Sequence, residues 1–241
     1  TVKGKAAVLT GNIDATGYEL TLQSTNVTIG DGQTATVMTA KSLADADNLT
    51  IDQAVLNLDS YKLQAGKQIT LKNTVTAEGQ ALELAAPDAS IGDGSANTII
   101  KAGSVSATDK LLVDKAVLAV DDGTLQAQQI ILRGNVTADN LDLTLQAPEA
   151  AIGDGIVDTV ITARTVMGTE NLLIDKASFA VTNPIIATAG NLTLQHEIVA
   201  GDKAGFQAGK AITMQDMSMD KSTDVSFEGK VIDMRGFIHG H

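Results

Sequence analysis

The tetrapeptide Ile-Gly-Asp-Gly occurs three times, at residues 29–32, 91–94 and 152–155. The copies begin 62 and then 61 residues apart. A period this long and this even is an architectural signal, because one structural unit of nearly fixed length has been laid down repeatedly. The match extends beyond the tetrapeptide. Thr36-Val37-Met38-Thr39-Ala40 corresponds to Thr98-Ile99-Ile100-Lys101-Ala102 and to Thr159-Val160-Ile161-Thr162-Ala163. Leu49-Thr50-Ile51-Asp52 corresponds to Leu111-Leu112-Val113-Asp114 and to Leu172-Leu173-Ile174-Asp175. Pro87 and Pro148 each stand four residues before a copy. The repeats run over 9–68, 69–129 and 130–190, followed by degenerate final coils over 191–241. Residues 1–241 read as a single domain.

Each unit subdivides. Between Ile69 and Ile130 nine short apolar runs occur, at 69–71, 75–77, 82–84, 89–92, 98–102, 104–107, 111–114, 116–120 and 125–127. Nine runs in about 61 residues make three groups of three, or roughly 20 residues per group, a common coil length for a stacked solenoid. The runs are too short for helices and rich in Val, Ile, Leu and Thr, as strands are. Gly, Asn, Asp and Pro punctuate them, as turns require. Short strands joined by short turns leave no room for crossover helices. The expected fold is all-β: a right-handed parallel β-helix (β-solenoid) of about 20 residues per coil with three short strands per coil. The hand follows from the usual chirality of parallel crossovers.

Composition agrees with a narrow tube. Hydrophobic residues are 44% of the chain but aromatics only 2%. The interior must therefore be built from small aliphatic side chains, each stacked on the same position of the next coil ~4.8 Å away. A dozen such coils would make a rod on the order of 55 Å long by the same spacing. The tail from Asp216 onward, with Met217, Met219, Met234, Phe227 and Phe237, is expected to form less regular end coils.

The chain has no cysteine, so neither disulfides nor thiol chemistry. A formal net charge of −12 without a basic cluster argues against nucleic acid and anionic membrane surfaces as partners. No apolar run approaches ~20 residues, so no membrane insertion is expected. The start at Thr1 carries no signal-like segment and reads as a mature or excised piece of a longer protein.

No catalytic, cofactor-binding or metal-binding residue is assigned. Asp31, Asp93 and Asp154, flanked by Gly, could bind a cation. Their turns lie three coils apart, however, roughly 14 Å by strand spacing, too far to share an ion. A tight corner with Asp capping its own turn is the simpler reading. Asp45, Asp47, Asp52, Asp59, Asp88, Asp109, Asp114, Asp121, Asp122 and Asp175 could supply the carboxylates of a lyase or glycosidase. Several of them repeat with the unit, which favours structure over a single catalytic centre. His196 beside Glu197 reads as a surface pair, and His239 with His241 as a tag-like pair. Thr70, Thr76, Thr137, Thr144 and Thr193 should point outward. Their recurrence at every third coil lacks the continuous ladder an ice-binding face needs.

Residues 63–71, Leu-Gln-Ala-Gly-Lys-Gln-Ile-Thr-Leu, together with 189–194, Ala-Gly-Asn-Leu-Thr-Leu, and 207–213, Gln-Ala-Gly-Lys-Ala-Ile-Thr, resemble the repeats of filamentous-haemagglutinin-like exoproteins. These are large bacterial surface proteins of two-partner secretion. Their secretion domain carries Asn-Pro motifs near its N-terminus. Here only Asn183-Pro184 occurs, late in the chain, so that domain is not assigned and no functional residue is carried over. The resemblance implies a secreted or cell-surface shaft or adhesin segment, non-enzymatic and without cofactor. Its partners would be a host or bacterial surface glycan or protein, or other copies of itself. The alternative is a carbohydrate-active β-helix of polysaccharide-lyase or phage tail-spike type. A cleft gathering carboxylates with a basic residue would favour the enzyme.

Overall fold

In a computed structural model of the chain, residues 1–181, 185–201, 203–220 and 224–240 are described. Twenty strands follow one another among the described residues, from Val2–Leu9 to Val231–Gly240, with no helix between them. The fold is a parallel β-solenoid of about 11 turns with about 20 residues per turn. The strand pairs among the described residues are parallel. Contacts divide the chain into two compact units, Thr1–Asp122 and Gly123–His241.

One column of residues shows how each stack is built. In the first unit Leu9 pairs with Ile29, Ile29 with Ile51, Ile51 with Leu71, Leu71 with Ile91, and Ile91 with Val113. In the second, Leu132 pairs with Ile152, then Ile174, Leu194, Met214 and Met234 in turn. The isoleucine of every Ile-Gly-Asp-Gly belongs to this column. From Ile29 to Ile152 its described side chains point inward and are fully shielded from solvent. A flat aliphatic side chain stacks on its own kind at the strand spacing without leaving a void, which is why the interior is nearly free of rings.

The three faces of a coil are legible in the strand Lys62–Ala85. Its buried positions come in pairs: Leu63 and Ala65, Ile69 and Leu71, Val75 and Ala77, Leu82 and Leu84. Each pair is the inward half of one strand run, and each break between pairs is a corner. Asn12–Ile29, Thr36–Leu58 and Lys62–Ala85 run to 18, 23 and 24 residues, longer than the sequence runs suggest. The ladder passes through corners at local register shifts, such as those between Asp52 and Ala54 or between Ala77 and Ala81, instead of stopping there. At Pro87 and Pro148 the chain does break. A proline has no N–H to give a ladder, and both lie outside strands while their carbonyls accept from Lys110 and Asn171 of the next coil.

The tail differs from expectation. Ala211–Asp220 pairs with Val231–Gly240 at the usual stride of 20 to 21 residues, with Ala211 on Val231 and Met217 on Ile238. Methionine takes the column place at 214, where it is buried because an unbranched thioether fits the same slot, and at 234, where the last coil leaves it 66% exposed. Phe206 and Phe227 occupy paired positions and stack with ring centroids 5.5 Å apart and planes 16° from parallel. Phe179, by contrast, is buried singly with Ile161 as its ladder partner. No helix among the described residues is long and apolar enough to cross a membrane.

Leu71→Ala, which opens a void at a fully buried column position, is expected to lower the unfolding free energy by about 2–5 kcal/mol. Thr50→Ala, on the outward side of the same run, should change it by no more than ~0.5 kcal/mol. Urea titration followed by circular dichroism measures both, and equal losses would refute the inward and outward assignment.

Candidate functional site

The three Gly-Asp-Gly loops and the aspartates of the following coil form one recurring corner. Gly30, Gly92 and Gly153 each donate their N–H to the column residue of the preceding coil, Leu9, Leu71 and Leu132, at 2.8 Å. The chain then leaves the ladder for six residues and returns at Thr36, Thr98 and Thr159. Across this excursion the stride rises from 20 residues, Leu71 to Ile91, to 25, Thr74 to Ile99. It falls to 18 in the next coil, Thr98 to Ala116, so the repeat length is restored.

The first glycine of each loop crosses directly over the backbone of the next coil. A Cβ there would lie 1.6 Å from the Asp52 carbonyl oxygen at Gly30, 1.9 Å from that of Asp114 at Gly92, and 1.8 Å from that of Asp175 at Gly153. The second glycine sits against the carboxylate of the same aspartate, where a Cβ would lie 2.7 Å from Asp114 Oδ2 at Gly94 and 2.8 Å from Asp175 Oδ2 at Gly155. All six glycines have φ between +72° and +102°. Both the left-handed backbone and the contact distance thus demand glycine. The two motifs that recur along the sequence, Ile-Gly-Asp-Gly and the Asp closing Leu-x-Ile/Val-Asp, are the upper and lower halves of this one contact.

The aspartate between the glycines closes its own loop. Asp31 Oδ1 accepts from the N–H of Gln33 and of Thr34, both at 3.0 Å. Asp93 Oδ1 accepts from Ser95 N–H at 3.0 Å and from the Ser95 hydroxyl. Asp154 Oδ1 accepts from Ile156 and Val157 N–H at 3.0 and 2.9 Å. These are Asx turns.

A cation from the preceding coil joins two of the three loops. Lys72 Nζ lies 2.7 Å from Asp93 Oδ2, and Arg133 Nη1 lies 3.5 Å from Asp154 Oδ2. The Lys72 ammonium, then the Ser95 hydroxyl and N–H, hold the Asp93 carboxyl well below the usual carboxylate range. At Asp154 burial pushes the carboxyl up, but the N–H groups of Val157 and Ile156 and the Arg133 guanidinium outweigh it and the net shift is downward. Lys72 and Arg133 keep the repeat spacing, so the sequence held the signal, unread beside the more conspicuous glycines.

The lower aspartates are more deeply set. Asp114 and Asp175 are 3% and 8% exposed. Asn73 donates to Asp52 at 2.6 Å, and His196 Nδ1 lies 2.5 Å from Asp175 Oδ1. His196 is therefore bound to an aspartate one coil back, not paired with its sequence neighbour Glu197. It takes the corner place that Asn73 holds in an earlier repeat, with φ of 57° against 53°.

The remaining acidic residues do not converge. Asp59, Asp88, Asp109, Asp121 and Asp122 are exposed and spread over different turns. Asp47 pairs with Lys67 at 3.2 Å. Asp142 pairs with Arg164 and Thr165, and these two hold its carboxyl down at about 2. Among the described residues no three His, Cys, Asp or Glu side chains are placed to hold a metal ion. The side chains of Asp45 and His239, and residues 183–184 and His241, lie outside the described residues.

The threonines depart from the sequence reading. Thr28, Thr50, Thr70 and Ser90 are ladder partners on four consecutive coils, and the Ser90 hydroxyl donates to Thr70 Oγ1 at 3.2 Å. Ladder register is invisible to a comparison of equivalent positions one repeat apart, so the reading at every third coil missed it. A concave groove of about 550 Å³ lies elsewhere on the first unit, lined by Gly4, Gln23, Ser24, Thr25, Ala46, Asp47, Gln64, Ala65 and Gly66. No protein-family model, curated protein or solved structure matches the chain significantly.

Gly92→Ala should remove at least ~3 kcal/mol of stability or abolish folding, since strain and overlap act together. Gly79→Ala, where φ is +68° but nothing lies within 4 Å of the new Cβ, should lose only about 1–2 kcal/mol. Urea unfolding of the two variants compares them directly. The depressed Asp93 carboxyl contributes stability that is present above the ordinary carboxylate pKa of about 3.9 and is lost as pH falls toward its lower folded value. Asp93→Asn should therefore melt below the wild type at pH 7, and the gap should narrow as pH drops below about 4. A gap of constant size from pH 7 to pH 2 would contradict the assignment.

Proposed function

We propose that the chain is a non-enzymatic β-helical shaft or adhesin segment, secreted or displayed at a bacterial surface. Its outward faces would mediate attachment to a surface glycan or protein, or to other copies of itself, or would carry a distal binding domain. One observation carries the reading: the recurring aspartates are committed to closing corners. Asp31, Asp93 and Asp154 cap their own loops, and Asp52 and Asp175 accept from a neighbouring coil. Carboxylates held this way are partners of N–H groups and cations, not poised to donate a proton or attack a sugar carbon. The stride supports the same reading, because the loops that leave the ladder are short and the coil length is restored at once. The likeness of residues 63–71 to exoprotein repeats points the same way.

The chain coupled to fluorescent beads should attach to cultured cells or to polysaccharide-coated surfaces above the level of beads carrying an unrelated protein. In the same preparations no new reducing ends or unsaturated sugars should appear. Release of either product from a polysaccharide panel would replace this reading with the carbohydrate-active one.

A further inference from the structure

The groove on the first unit lies away from the Gly-Asp-Gly corners and has a distinct physical origin. It follows a corner across four successive coils, contributed by Gly4, by residues 23–25, by residues 46–47 and by residues 64–66. Three rung steps span ~14 Å. The register of the ladder shifts there repeatedly, between Thr21 and Asn26, between Leu43 and Ala46, and between Ala46 and Asn48. Shifts of this kind bend the strand and turn side chains away from their usual direction. Small residues then make the recess: Gly4, Ala46, Ala65 and Gly66.

The polar groups at this recess are unspent. Gln23, Thr25 and Gln64 are exposed, and their side chains make no hydrogen bond among the described residues. Ser24 is 6% exposed, and its hydroxyl is buried beneath the recess with no hydrogen-bond partner among the described residues. The carboxylate in the groove, Asp47, is matched by Lys67. Two carboxamides offer both donors and acceptors, as the hydroxyls of a sugar do.

We propose that this groove binds an extended, uncharged glycan chain. Three observations select that class. The residues lining the groove include one carboxylate, Asp47, and no Lys or Arg, so a sulfated or uronic chain lying on them meets a like charge and no cation. A peptide adding as a strand needs a free sheet edge, whereas Gly4 with Ser24 and Ala46 with Ala65 are already ladder partners. The volume of 550 Å³ is in the range of sites for small organic ligands, roughly 300–1,000 Å³. With no ring in the lining, the sugar faces rest on the Gly and Ala floor and the carboxamides fix their orientation.

This inference deepens the attachment reading and rests on it. Calorimetry and amide chemical shifts should be recorded with cellohexaose, chitohexaose, xylohexaose and mannohexaose. Heparin, oligogalacturonate and an extended Ser/Gly peptide serve as the competing classes. At least one neutral oligosaccharide should bind, with shifts confined to residues 23–25, 46–47 and 64–66. Gly66→Leu should weaken it at least tenfold, because a Cβ at Gly66 meets its nearest atom at 3.5 Å and the added bulk extends into open groove. The double variant Gln23→Ala/Gln64→Ala, at two exposed positions, should weaken it as much with a melting temperature unchanged within about 4 °C. No neutral oligosaccharide bound, binding only of the acidic chains or the peptide, or affinity indifferent to both variants would overturn the proposal. Beads carrying the groove variants separate the two readings: undiminished attachment would sink the groove alone, and no attachment by the wild type would sink the attachment reading.

Discussion

Each coil of this protein is held by the one before it, through a parallel ladder that sets every inward residue on its own counterpart. The ladder fixes the spacing, and the spacing fixes which side chains fit. Ile51 on Ile29 and Leu71 on Ile51 fill the interior at the strand repeat, so a core forms although no coil could bury an apolar face alone. The same rule governs exceptions. Phe206 stacks on Phe227 at the paired position of the next coil. Met214 replaces Leu194 without a change of stride because its flexible chain occupies the same slot.

A ladder that turns must pass its corners, and at these corners the chain spends its glycines and charges. At the plain corners a single residue takes a left-handed φ, as at Gln53, Asn73, Lys115, Lys176 and His196. At every third coil a six-residue loop does the same job by crossing over the next coil at glycine. Crossing so closely leaves loop N–H groups without ladder partners. The aspartate between the glycines supplies the missing acceptor, and Lys72 or Arg133 balances its charge. Pairs this exposed each contribute on the order of 1 kcal/mol or less, so geometry, not charge, makes the loops what they are.

Where the ladder loses register the surface changes character. The corner along Ser24, Ala46 and Ala65 combines repeated register shifts with small residues, and a recess opens there. Regular stacking yields flat faces such as the hydroxyl row of Thr28, Thr50, Thr70 and Ser90, whereas irregular stacking yields concavity. A solenoid can thus carry a binding surface without long inserted loops, by letting one corner drift over a few coils.

The repeat of 61–62 residues, the nine apolar runs per unit and the near absence of rings were sufficient to determine an all-β parallel coil of about 20 residues, because period and volume leave few alternatives. Asp capping its own turn was legible for the same reason: Gly-Asp-Gly is a local signal, and its hydrogen bonds span two or three residues. Contacts between coils were not. Gly92, where a Cβ would lie 1.9 Å from Asp114 O, the Lys72 partner of Asp93 and the Asp175 partner of His196 all join residues some 20 positions apart. Their pairing depends on register, and register is set by corner bulges that leave no distinct residue pattern. The hydroxyl ladder and the groove were hidden for that reason too. Sequence determined what a coil is; only the stacking of one coil on the next decided which side chains meet.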